Sequence, residues 1–151
     1  MAWTVTVSAH SLGVRHLGEL DMYPEVKDPR RVGEYPTHAY AGGGYVWDEV
    51  LEYRVCGHDE DGPFYYTFED AVSAIKISEE KDGMDEPLAL VLQKEYLDEP
   101  DEGVYVHVKE ERVTEWPLQF LSRPKRSENT IPDFLAPDAP ENRLDIIRGI
   151  A

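Results

Sequence analysis

The chain has 151 residues, 41% of them hydrophobic and 30% charged, with a formal net charge of −16. That length suits one domain with a real core, and that balance excludes a disordered chain. A uniformly acidic surface repels phosphate backbones and anionic lipid, so neither a nucleic-acid partner nor a membrane partner is expected; the charge reads as solubility or, more sharply, as fitting a basic protein partner or mimicry of DNA. The single cysteine, Cys56, excludes an intrachain disulfide and fits a cytoplasmic location. The opening Met-Ala-Trp-Thr-Val-Thr-Val lacks the basic start and apolar core of a secretory signal. The longest clean apolar run, Leu88 to Leu92, is too short to span a bilayer.

In chain order, Trp3 to Ser8 alternates with period two and reads as a strand. Leu12, Leu17 and Leu20 share a helical face that Gly13 and Gly18 weaken, and Asp21 to Pro36, with three prolines, reads as irregular. Tyr45 to Cys56 fits both periods. A strand from Leu51 to Cys56, preceded by a helical turn, suits its Tyr, Val and Cys content. Gly57 to Pro63 is an acidic turn, and Phe64 to Phe68 completes a hairpin. Thr67-Phe-Glu-Asp70 has the form of a capping box opening the main helix, Phe68 to Lys81, which Gly83 stops. Leu88 to Leu97 and Val104 to Trp116 read as two long strands joined in an antiparallel hairpin by Asp98 to Gly103. Pro117 to Leu121 is a helical turn, Thr130 to Pro137 reads as extended, and Asp138-Ala-Pro-Glu141 as the capped start of a short final helix.

The expected fold is therefore α+β: a single domain with an antiparallel sheet, one main helix and a C-terminal arm. The body covers 1–126. The arm covers 127–151 and packs on the body or on a second copy, which would make a homodimer. Ile131, Phe134, Leu135, Leu144, Ile146, Ile147 and Ile150 give the arm too much apolar surface to leave in water.

The densest mix of glycine, aromatic and charged side chains lies between His38 and Cys56. Flexible glycines beside rigid rings make a plausible pocket mouth, so Tyr40, Gly42, Gly43, Gly44, Tyr45, Trp47 and Tyr53 are the candidate ligand-binding residues. The glycine run lacks the Lys-Ser or Lys-Thr of a phosphate-binding loop, and the acids that follow would repel phosphate. Glu49 and Glu52 are a candidate carboxylate pair for acid-base work if the fold brings them to one opening. Cys56-Gly-His58, next to Asp59, Glu60 and Asp61, carries ligand atoms at no standard zinc spacing, so no metal is expected.

Five stretches carry a family pattern: Ala41 to Val55, Tyr66 to Ala71, Glu86 to Val91, Val104 to Arg112 and Thr130 to Pro140. Together they resemble a family of short bacterial proteins commonly labelled GNAT acetyltransferases. The resemblance implies an acyl-CoA-dependent N-acetyltransferase with acetyl-CoA as cofactor. Such enzymes hold the coenzyme pyrophosphate on a loop of Arg or Gln-x-x-Gly-x-Gly or Ala at a helix N-terminus. Arg15-His-Leu-Gly18 has the first spacing, but Glu19-Leu20 follows, so no catalytic or cofactor residue is carried over. Read from its residues alone, the chain is a non-enzymatic acidic binding or accessory module without cofactor. An acidic DNA-mimic inhibitor is a third reading.

Overall fold

A computed structural model describes residues 4–7, 23–36, 40–41 and 45–151, the segments 4–7 and 40–41 as backbone only. Among these residues the strands are β1 (Thr4–Val7), β2 (Tyr40–Ala41), β3 (Glu49–Asp59) and β4 (Gly62–Phe68). The main helix, α1 (Ala71–Glu80), comes next. It is followed by β5 (Leu88–Gln93), β6 (Tyr96–Asp101), β7 (Val104–Val108) and β8 (Arg112–Pro117). Two short helices, α2 (Thr130–Leu135) and α3 (Arg143–Ile147), follow a 3-10 turn at Leu118–Ser122. Six strands form one sheet in the order β1-β4-β3-β5-β8-β2. Neighbours among its four central strands are antiparallel, and the two outer pairs, β1 with β4 and β8 with β2, are parallel. The domain is thus α+β with one main helix. Among the described residues no helix is long and apolar enough to cross a membrane. The expected helix around Leu12 to Leu20 lies outside the described residues.

The ambiguity of Tyr45 to Cys56 has a physical cause. Val50 faces Val91 across β5, but the next pair is Glu52 with Leu90, so Leu51 is an extra residue on β3. This bulge shifts the strand's parity. Val50, Tyr53 and Val55 therefore all join the main core, while Leu51 packs with Leu90 and Leu92 elsewhere. No single period fits such a stretch. The strand extends to Asp59, and residues 45–48 form a turn and bend rather than a helical turn.

The hairpin of Leu88 and Val104 exists, but both legs break. β5 pairs with β8 inside the sheet, whereas β6 pairs with β7 as a separate two-stranded ribbon. The break follows from Asp48. Its carboxylate accepts the Lys94 amide at 2.7 Å, and the buried Gln93 side chain donates to the Val46 carbonyl at 2.7 Å. The chain leaving β5 is thus tied to residues 46–48, and the ladder cannot run on.

Helix α1 links β4 to β5, with β3 lying between those two strands. It starts later than its sequence pattern suggests. Phe68 belongs to β4, and the cap is Asp70, not Thr67. Asp70 accepts from the Ser73 amide at 2.7 Å and from its hydroxyl at 2.8 Å. An acidic side chain answers the positive end of the helix and one of its free amides. The small side chains of Ala71 and Ala74 let the helix lie close on the core of Tyr53, Phe68, Ala89 and Trp116.

The arm departs from expectation in its first part. Thr130–Leu135 is helical, not extended. Pro132 sits in its first turn, where no amide has an intrahelical partner, so the ring costs nothing there. The final helix starts after Asn142, and Asp138 is not its cap.

Buried charge fastens the irregular segment 23–36 to the sheet. Glu52 and Arg54, each about 1% exposed, meet at 2.6 Å, and Arg54 approaches Glu115 at 3.5 Å. The second Glu52 oxygen accepts the Gly33 amide at 3.0 Å, and Arg54 donates to the Pro36 carbonyl at 3.1 Å. Val26 adds a one-residue bridge to Val50. The segment is therefore packed by its own backbone polar groups, despite having little regular structure.

Candidate functional site

The structure separates the candidate ligand-binding residues. Tyr53 is fully buried in the main core, and its hydroxyl donates to the Pro24 carbonyl. Burial pushes its phenol well above the ordinary range. Trp47 is also buried in that core, its indole N–H donating to the Arg123 carbonyl at 3.1 Å. Tyr45 belongs to a different cluster, half-buried beside Tyr105 and Phe134. The backbone of Tyr40 lies in β2 opposite Thr114, while Gly42, Gly43 and Gly44 fall outside the described residues. The described rings do not share one surface. The carboxylate pair is also divided by role. Glu52 is neutralised in the interior by Arg54, and Glu49 meets Lys125 at 3.3 Å near the surface.

A groove opens instead in the arm. Its volume is about 500 Å³, within the range of small-ligand pockets. Phe134, Pro140, Ile146 and Ile147 give it apolar walls, and Thr130, Asp133, Asp138 and Arg143 supply its polar groups. The fold builds it in steps. Residues 123–126 clasp the turn at 45–48. The Arg126 amide donates to the Trp47 carbonyl at 2.9 Å, and its guanidinium reaches Asp48 at 2.8 Å and Glu95 at 3.3 Å. Arg123 lies 4.5 Å from the Phe120 ring centre and 5.6 Å from that of Trp116. Burial, then the charge of Arg148, lowers its pKa from the usual guanidinium range.

Beyond the clasp, Ile131, Phe134 and Ile147 bury themselves against Val46 and Leu97, so both short helices are held by one small core. The Tyr105 ring meets Phe134 edge-on at 4.9 Å and Tyr45 at 5.7 Å. The Arg143 guanidinium stacks 4.4 Å from the Phe134 ring centre and donates to the Phe134 carbonyl at 2.8 Å, which joins α3 to the end of α2. Gly149 ends α3 at a φ of 75°, and a side chain there would meet Pro124 at 2.8 Å. That glycine lets the last turn close down on the clasp.

Two half-exposed groups respond to this packing. Tyr45 donates to Glu99 at 2.8 Å, and its phenol is pushed up to about 12, chiefly by burial and then by that carboxylate. The Gly103 amide, and then the Tyr45 hydroxyl, hold Glu99 below the ordinary carboxylate range. Asp133 and Asp138 stay exposed at the groove. An apolar wall with nearby carboxylates can take a side chain that is apolar along its stem and cationic at its tip.

Arg143 was not legible as a site residue. The sequence shows a cation in a short amphipathic helix, and only the fold brings it over Phe134. No family model matches the chain, and comparisons with curated proteins and with solved structures return no match either.

Proposed function

We propose that the protein is a non-enzymatic binding module whose groove between α2 and α3 receives a basic segment of a partner protein. The observation that carries this reading is the groove itself: about 500 Å³, walled by Phe134, Ile146 and Ile147, with Asp133 and Asp138 among its polar residues. A lysine or arginine stem would lie along the apolar wall and its head would reach the carboxylates. The formal charge of −16 would speed encounter with a cationic partner. The junction from β4 to α1 also favours a module over a coenzyme A enzyme. There the helix amide that could meet a pyrophosphate is taken by Asp70, with Glu69 beside it.

The test is fluorescence anisotropy with a labelled peptide of alternating lysine and leucine. The full chain should bind it saturably, and the double variant Asp133→Asn, Asp138→Asn should bind it several-fold more weakly at low salt. Equal affinity for both proteins would sink the groove as the binding site. A rise in melting temperature with coenzyme A, absent with the peptide, would return the reading to the transferase.

A further inference from the structure

We propose that Cys56, His58 and Asp85 form a binding site for a divalent transition ion of borderline softness, with zinc as the reference case. The sequence presents Cys56 and His58 without a third ligand, because Asp85 lies 27 positions beyond His58. The fold supplies it. Cys56 Sγ lies 3.9 Å from His58 Nε2, and that nitrogen lies 3.1 Å from Asp85 Oδ2. One ligand atom from each residue falls within 4.8 Å of the other two. Tetrahedral bonds of about 2.0 Å to nitrogen or oxygen and about 2.3 Å to sulfur imply ligand separations of roughly 3.3–3.6 Å. The Cys56–His58 and His58–Asp85 separations lie within a few tenths of an ångström of these values, and the Cys56–Asp85 pair, within 4.8 Å, would close on the ion by rotation of the exposed Asp85 side chain.

The backbone fixes this convergence. Cys56 and His58 are two apart on β3, so their side chains leave the same face of the strand. Gly57 between them bridges to Met84, and the Asp85 amide donates to the Cys56 carbonyl at 2.9 Å. A side chain at position 57 would come within 2.5 Å of both Met84 Cε and Phe64 Cζ. Glycine thus leaves room for the Met84 and Phe64 side chains that pack over it, next to Asp85. On the far side, Ser78 donates to the Asp85 carbonyl at 2.9 Å, and Gly83 turns the chain with a φ of 78°. The Asp85 backbone is thus fixed on two sides, and its carboxylate is directed by the contact with His58.

The donor set decides the class of ion. One thiolate, one imidazole and one carboxylate suit zinc, cobalt or nickel, whereas magnesium and calcium need oxygen shells. His58 and Asp85 are more than half exposed, so an ion can enter from solvent, and three protein ligands leave the fourth position to water. Asp59, Glu60, Asp61, Asp82 and Glu86 surround the site in sequence and are exposed. Their field favours a cation without coordinating it.

Cobalt(II) alone, titrated into the full chain, is the probe. The expected result is a thiolate-to-cobalt charge-transfer band with the strong visible bands of a four-coordinate ion, saturating at one equivalent and lost on adding zinc. Cys56→Ser should abolish the charge-transfer band. Asp85→Asn and His58→Gln should each weaken binding by about tenfold or more, the least that even an outer-sphere partner contributes. Circular dichroism will show that each variant is folded. Equimolar zinc should also slow alkylation of Cys56, the sole thiol in the chain. Cobalt uptake without the band, unchanged in Cys56→Ser, would mean diffuse binding to an acidic surface and overturns the site. A band that survives Asp85→Asn at unchanged affinity overturns the three-ligand arrangement.

Discussion

The main sheet and the ribbon with its arm are two cores built on different plans. In the sheet, Tyr53, Phe68, Ala89, Val91 and Trp116 are fully buried, and every central strand is flanked on both sides. In the ribbon, Val46, Leu97, Ile131, Phe134 and Ile147 make a small core covered by half-buried tyrosines, Leu135, Leu144 and an arginine. The sheet is held by continuous backbone ladders between neighbouring strands, with the Glu52–Arg54 pair buried inside it. The second core depends on a few side chains from segments far apart in the chain. It is also where the groove lies, since a thin core of short helices leaves an opening that a laddered sheet would close.

The largest effect should come from the sheet. Arg54→Met leaves Glu52 buried without its cation, and removing one partner of such a pair typically costs about 3–5 kcal/mol. Urea unfolding should show one transition moved to lower denaturant. A change below about 1 kcal/mol would mean that the pair is hydrated in solution. Phe134→Ala should cost about 3 kcal/mol, but locally. Amides of β6, β7 and α2 should exchange faster while those of β3 and β5 keep their protection. Uniform loss of protection would show that the two cores unfold as one unit.

The smallest effects come from titration at the ribbon. Tyr45 has a folded pKa of about 12, above its ordinary value of 10.0. Its contribution is complete below the ordinary value and is lost as pH rises through that window, where the unfolded chain binds fewer protons. Glu99 runs the other way: held below its ordinary value, it stabilises above that value and stops doing so as pH falls through its folded pKa. Tyr45→Phe should remove the alkaline slope and Glu99→Gln the acid one, each read from ribbon amide exchange. If both slopes persist in the variants, other groups set the pH response of this region.

Local chemistry was readable where it acts locally. Val104, Val106 and Val108 announced a strand, and the acidic run from Gly57 to Pro63 a turn, although the strands run into it and leave only Glu60 and Asp61 as the turn itself. What could not be read came from contacts across the chain. Leu51 becomes a bulge only because β5 lies beside it, and Lys94 leaves the ladder only because Asp48 takes its amide. Thr67 has the form of a helix cap, but β4 runs on to Phe68, so the helix starts later and Asp70 caps it. The same holds for sites. Trp47 and Tyr53 carry polar tips that suit a pocket or a core equally, and the carbonyls of Arg123 and Pro24 that satisfy them lie 76 and 29 positions away.

The departure of the ribbon from the sheet also bears on how copies of this chain avoid one another. Among the described residues, β6 and β7 pair only with each other, so within them neither strand has a second strand neighbour. Val104 and Val106, 50% and 44% exposed, stand on that ribbon. Two-stranded edges with exposed valines are templates for strand addition. Here Asp98, Glu99 and Asp101 lie on the paired strand, with Glu102 in the turn, so an approaching copy meets carboxylates along with the valines. Carboxylates beside exposed valines oppose the approach of a second acidic chain, so acid or concentrated salt, which weaken that repulsion, are expected to favour self-association at the ribbon, read as a rise in solution mass.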